Sequence, residues 1–185
     1  MKRDPLPRFA WALTGSGHFL RESLEIATRL PYTDLYLSAA AEEVLHMYNV
    51  DLEDLRRHFR LFRDTTASAA PVGLFYHGFY HTVVIAPATS NTVAKLVCGI
   101  ADTLVTNIYA QAGKQRIPSI VFACDAEPEV YTEAPKEWVT LYPRRIDLEN
   151  TERLKRFEYT TVATTIEELR QAVEARLRCL NISAS

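Results

Sequence analysis

An α/β fold with a mainly parallel sheet is predicted by three observations on the amino-acid sequence. Short apolar or β-branched runs alternate with segments of helical period along most of the chain. The run His81–Ala86 is β-branched and apolar on both faces, as a central strand covered by helices on both sides requires. Glycines and small polar residues collect where such runs end, at Thr14–His18, Ser38–Ala41 and Pro87–Thr92, and parallel sheets bind ligands beyond those carboxyl ends. The pattern describes a three-layer, Rossmann-like (flavodoxin-like) arrangement. With 185 residues and 48% apolar content, residues 1–185 are expected to form one domain around a full core.

Taken in order, Arg8–Leu13 (RFAWAL) reads as a buried strand, Thr14–Gly17 as a glycine turn, and His18–Leu30 as a helix. A short strand over Asp34–Ser38 follows the Pro31-Tyr32 break, and Val44, Leu45 and Tyr48 give Ala39–Tyr48 a helical face. Asp51 is placed to cap a further helix carrying Leu52, Leu55 and Phe59, with Arg56, Arg57 and Arg60 toward solvent. Thr65–Pro71 is a small-residue linker, and the aromatic stretch Val72–Tyr80 is expected to be helical. After the His81–Ala86 strand, which ends at Pro87, a helix starts at Ser90–Thr92 and turns Val93, Leu96, Val97 and Ile100 inward. A helix over Asp102–Gly113, strands at Ile117–Ala123 and Trp138–Tyr142, and a proline-rich connection at Glu127–Pro135 come next. Thr165–Leu180 closes the series as a helix, with Ile166, Leu169, Val173 and Leu177 on one face and Glu167 and Glu168 at its start.

Bulk properties narrow the partners. A formal charge of −2 with 24% charged residues creates no strong field, so neither nucleic acid nor an anionic membrane is favoured over a small ligand. Cys98, Cys124 and Cys179 are an odd set without metal spacing, which supports neither disulfides nor a metal site and suits a reducing cytoplasm. The amino terminus carries Lys2, Arg3 and Arg8 but no apolar run fit for a signal peptide or membrane span, so a soluble, unprocessed chain is expected.

The chemistry concentrates in the loops. Thr14-Gly15-Ser16-Gly17 offers backbone donors, hydroxyls and a helix start, which suits a phosphate, and equally suits a tight turn needing glycine for positive φ. Leu20 stands where a dinucleotide fingerprint needs its third glycine, which disfavours NAD and leaves Asp34 a strand-start residue rather than a ribose ligand. In Ala86–Thr92, a helix cap accounts for one polar residue and leaves the others and the proline unexplained.

Pro87-Ala88-Thr89-Ser90-Asn91-Thr92 resembles the PASANT motif of the homo-oligomeric flavin-containing cysteine decarboxylase family. The resemblance extends over roughly residues 8–125 and takes in Cys98–Leu104. It implies an FMN site: Gly15, Ser16, Gly17 and His18 after the first strand and Ser38 after the second near the phosphate, and Pro87, Ala88, Thr89, Ser90, Asn91 and Thr92 against the ring and ribityl chain. Cys124 and Asp125 end the following strand, Cys124 as a flavin contact or a small buried hydrophobe, Asp125 as a group that protonates or anchors a pterin's amino-pyrimidine ring, or as a loop cap. FMN is expected rather than FAD, because one glycine-hydroxyl turn provides one phosphate site.

Two departures set the branch. Gly73 stands about where the decarboxylases place a catalytic histidine, with His77 and His81 out of register, and Phe122–Pro128 lacks their PxMNxxM clasp. The opening Thr14–Leu20 is similar to that of the archaeal-type flavoproteins, whose members resemble dihydromethanopterin reductase. The implied activity is reduction of a dihydropterin by FMN, with a pyridine nucleotide or ferredoxin as electron donor and no catalytic residue assigned. The other readings are a flavin prenyltransferase, using Arg144 and Arg145 beside Tyr142 for a prenyl phosphate, and an electron carrier without its own substrate. The resemblance also implies a homo-oligomer built on trimers, to which the aromatic segment Phe75–Tyr80 would contribute an interface.

Overall fold

The computed structural model describes residues 7–65 and 70–182, so Lys2, Arg3 and the centre of the Thr65–Pro71 linker lie outside the described residues. Strands β1 (Arg8–Leu13), β2 (Thr33–Leu37), β3 (Arg60–Arg63), β4 (Tyr80–Ala88), β5 (Ser119–Ala123) and β8 (Thr160–Ala163) form one sheet, ordered β3-β2-β1-β4-β5-β8. Every pairing in it is parallel. Helices α1 (Leu20–Thr28), α2 (Ala39–Met47), α3 (Leu52–His58), α4 (Ser90–Cys98), α5 (Leu104–Lys114), α6 (Arg145–Leu154) and α7 (Ile166–Leu180) alternate with the strands. Strands β6 (Val130–Glu133) and β7 (Trp138–Leu141) pair antiparallel as a ribbon of their own.

The period of two along β1 divides the core. Phe9, Trp11 and Leu13 point to one face, against Leu24 of α1, Leu45 of α2 and Leu169 and Val173 of α7. Ala10 and Ala12 point to the other, where small side chains let Val93 and Leu96 of α4 and Ile108 of α5 pack in. Both faces of the sheet are thereby buried, which is why its central strands read as unbroken apolar runs. Trp11 buries its ring and donates from Nε1 to the carbonyl of Ala86, 2.9 Å away. At the amino ends of the strands the buried carboxylate of Asp34 accepts from Arg8 and from the Tyr80 hydroxyl, each at 2.7 Å, and Tyr36 donates to Tyr80. Asp34 is thus a structural anchor, remote from the loops at the carboxyl edge.

Several expectations are corrected. The first helix begins at Leu20 rather than His18, because Phe19 takes a left-handed backbone (φ 59°) that ends the turn. Ala70–His77 is a 3₁₀ helix, and it buries Phe75 in the core, with Tyr80 beside it at the start of β4. Pro87 lies inside β4 rather than ending it. Ile100 falls beyond Gly99, whose left-handed φ of 70° closes α4, and is exposed instead of inward-facing. Arg60 opens β3, with its guanidinium over the Phe62 ring. Trp138–Leu141 is a strand, but of the separate ribbon.

Candidate functional site

The carboxyl ends of β1, β2, β4 and β5 bring the candidate residues to one edge. Thr14 ties two of the loops: its hydroxyl donates to the Pro87 carbonyl at 2.7 Å and accepts from the Thr89 amide at 3.0 Å. Ser38 accepts from the Ala41 amide at the start of α2, and Thr89 accepts from the Thr92 amide at the start of α4. Two helix amino termini, whose free N–H groups attract anions, therefore open on the same edge. Asn91 is exposed in the first turn of α4. Ser90 donates to the Asp125 carboxylate at 2.8 Å and so joins the signature loop to the end of β5.

The glycines of the first turn are needed for close approach, not for positive φ, which among the described glycines is confined to Gly78 and Gly99. A Cβ on Gly15 would stand 2.7 Å from that of Ala40. On Gly17 it would overlap the Tyr48 ring, 2.1 Å from the hydroxyl oxygen. That hydroxyl donates to the Glu133 carbonyl in the β6–β7 ribbon, at 2.7 Å.

His18, Cys124 and Asp125 each bring a polar atom within 4.8 Å of the others. Burial pushes the Cys124 thiol up to about 12, with the Asp125 charge adding to it, and the thiol donates to the Ala88 carbonyl at 3.2 Å. Its sulfur also meets the Ser16 hydroxyl at 3.2 Å, so both of its polar contacts lie inside the protein. His18 stacks on Phe19 with centroids 3.9 Å apart, and its Nδ1 is buried without a partner among the described residues. Burial lowers its pKa below the ordinary imidazole value, against the opposing pull of Asp125 and Glu22.

Sequence reasoning placed a strand at Trp138–Tyr142 but missed its partner Val130–Glu133 and the ribbon the two form. Tyr131 and Trp138 stack across it at 5.1 Å, and with His18, Gly17 and Tyr48 they line a cavity of about 130 Å³. The one available signal was the length of the proline-rich connection Glu127–Pro135. Thr14 was read as one hydroxyl of the turn, and its link between loops was invisible in sequence. A larger cavity, about 490 Å³, lies at the opposite edge, by Ser119 and Thr160 where β5 and β8 begin. Gly73 faces open space and lies in the 3₁₀ helix. Arg144 is bound bidentately by Asp147, and Arg145 pairs with Glu149, both with exposed guanidinium groups along α6.

The crystal structure of Burkholderia xenovorans DmrB in complex with FMN, described as a cubic protein cage for redox transfer, superposes with a TM-score of 0.91 at 62% identity, covering 97% of this chain and 100% of that one. An uncharacterized protein of Methanocaldococcus jannaschii is 38% identical over 175 residues, 90% of this chain and 94% of its own length. A dihydromethanopterin reductase (acceptor) of Methanosarcina mazei is 38% identical over 141 residues, 69% of this chain, which spans only 59% of that reductase. No described helix is long and apolar enough to cross a membrane. A family model described as Flavoprotein matches residues 2–182, and on that near-complete match the chain belongs to the Flavoprotein family.

Proposed function

We propose that this chain is an FMN-dependent oxidoreductase that reduces a dihydropterin of the dihydromethanopterin type to its tetrahydro form. The observation that carries the reading is the 62% identity, over 97% of the chain, to a redox protein solved with FMN. The edge loops fit that cofactor. Gly15, Ser16 and Gly17, with Ser38 at the start of α2, suit its single phosphate, since they set backbone donors and a helix amino terminus side by side. Pro87–Thr92, braced by Thr14, suits the ribityl chain and ring, with Asn91 as the exposed amide. When bound, the flavin supplies two-electron chemistry, taking electrons from a pyridine nucleotide or a ferredoxin and passing them on. The residues of the chain contribute orientation, exclusion of water and proton control.

Decarboxylation of cysteine peptides is not expected, because Gly73 has no side chain to accept a proton, and loss of a general base costs roughly 10²–10⁴-fold in rate. Prenyl transfer is disfavoured by the pairing of Arg144 and Arg145 within α6. The test is to identify the cofactor released from purified protein, reduce it anaerobically on the protein, and add dihydromethanopterin or dihydrofolate. Release of FMN and rapid reoxidation with tetrahydropterin formed are expected. Recovery of FAD would overturn the cofactor, and indifference to every pterin with reoxidation by a ferredoxin would replace the reductase by an electron carrier.

A further inference from the structure

Resting on the reading above, we propose that His18, beside Asp125, is the acid that protonates the substrate during reduction. Adding two electrons and two hydrogens to a C=N bond places a hydride on carbon and a proton on nitrogen. The reduced flavin accounts for the hydride, while the proton requires an acid at the same edge. The nitrogen's π pair takes that proton from the imidazolium, leaving neutral imidazole, which regains a proton from solvent before the next turnover.

The geometry singles out this side chain. Cys124 holds its proton on the Ala88 carbonyl, deep in the protein. The Tyr48 hydroxyl is engaged by the Glu133 carbonyl. His18 links the loops to the cavity: one side of it approaches Asp125, which Ser90 holds from the signature loop, and the same residue lines the space under Tyr131 and Trp138. Its plane is fixed by stacking on Phe19, a residue kept in a left-handed backbone that aromatic side chains rarely adopt. Strain of this kind persists where the surroundings enforce it, and here it aims an imidazole. Nδ1 is meanwhile buried with no partner among the described residues, an arrangement that leaves one ring nitrogen unspent.

The groups facing the imidazole are Arg21 and Glu22 from α1, Tyr48 from α2, Cys124 and Asp125 from the end of β5, and Glu133 from β6. Asp125 and Glu22 favour the imidazolium and burial opposes it, so protonation is completed below the ordinary histidine range. The reduction should therefore accelerate as the solution is acidified through that value.

Two experiments decide the matter. In flavin-free protein, the His18 imidazole is titrated by NMR in wild type and in Asp125→Asn. A lower pKa in the variant is expected, and an unchanged one would overturn the pairing. In FMN-loaded protein, single-turnover oxidation by dihydropterin is followed against pH in wild type and His18→Gln. A loss of about 10²–10⁴-fold is expected with the acid limb abolished. Oxidation by ferricyanide, which takes electrons without a proton, serves as the reference for a merely structural effect, and equal slowing with both oxidants would overturn the role. If wild type reduces the pterin and His18→Gln does so at the same rate and with the same pH profile, the reductase reading stands and the proton donor is wrong. If wild type reduces no pterin, the reading itself has failed.

Discussion

Two side chains on β4 and α4 illustrate how differently polar residues are used. His81 shares a hydrogen bond of 2.8 Å between Nδ1 and the Thr82 hydroxyl, to which Arg176 donates at 3.1 Å. Burial, with the Arg176 charge adding to it, pushes the imidazole down to about 4. The unfolded chain takes up this proton near pH 6.5 and the folded one only near 4, so stability is intact above that window and falls as pH drops through it. The ring is partly open to solvent, and screening reduces the effect to on the order of 1–2 kcal/mol. Urea unfolding of wild type and His81→Gln should show a difference that shrinks by this amount from pH 6.5 to 4; parallel curves would refute it. At the other edge, Asn91→Ala should weaken FMN binding roughly tenfold to hundredfold, the cost of a lost hydrogen bond of ~1–3 kcal/mol. Gln171→Ala on the exposed side of α7 is the appropriate comparison. Asn49 is not, because its left-handed φ of 56° would make alanine costly for the fold alone. Equal flavin affinities for Asn91→Ala and Gln171→Ala would take Asn91 out of the site.

Among the elements, the β6–β7 ribbon is tied to the end of α2 by the Tyr48–Glu133 hydrogen bond. Tyr48→Phe removes the hydroxyl donated to Glu133, a loss of about 0.5–1.5 kcal/mol, while the ring still fills the space Gly17 leaves. Amides of Val130–Glu133 should then exchange with deuterium faster and those of the central strands at the same rate, as hydrogen-exchange mass spectrometry would read; uniform rates would show the ribbon to be held otherwise. The ribbon also marks the limit of what the sequence disclosed. Central strands and their helices were legible because burial on both faces gives long apolar runs and clean helical stripes, as in Arg8–Leu13 and Ile166–Leu180. Edge strands were not: Arg60–Arg63 and Thr160–Ala163 are four residues each, half in solvent, and carry no alternation to read. Helix α6 hid in a polar stretch, its start fixed by Asp147 accepting from the Arg144 amide. Site loops were legible through motif chemistry, whereas the Thr14 and Ser90 ties between them arise only when distant strands lie side by side.

At the scale of the whole molecule, the exposed apolar side chains imply association. The segment Phe75–Tyr80 serves this less than its composition suggests, because Phe75 and Tyr80 are buried and Tyr76 remains 60% exposed. The ribbon and the turn after it carry more, with Tyr131, Trp138, Leu141 and Tyr142 all exposed. Rings clustered in this way usually mark interfaces. A homo-oligomer is therefore expected, built on trimers as the family resemblance implies, and light scattering at micromolar concentration should give a mass that is a multiple of the subunit; a monomeric mass would exclude it.

Tyr48 gives the molecule a further property. One phenol touches the first turn with its ring and the ribbon with its hydroxyl, and it cannot shift for one without releasing the other. A ligand on the turn that favours this contact would steady the ribbon, and a ligand beneath the ribbon would favour occupation of the turn by the same free energy, since linkage between two sites is reciprocal.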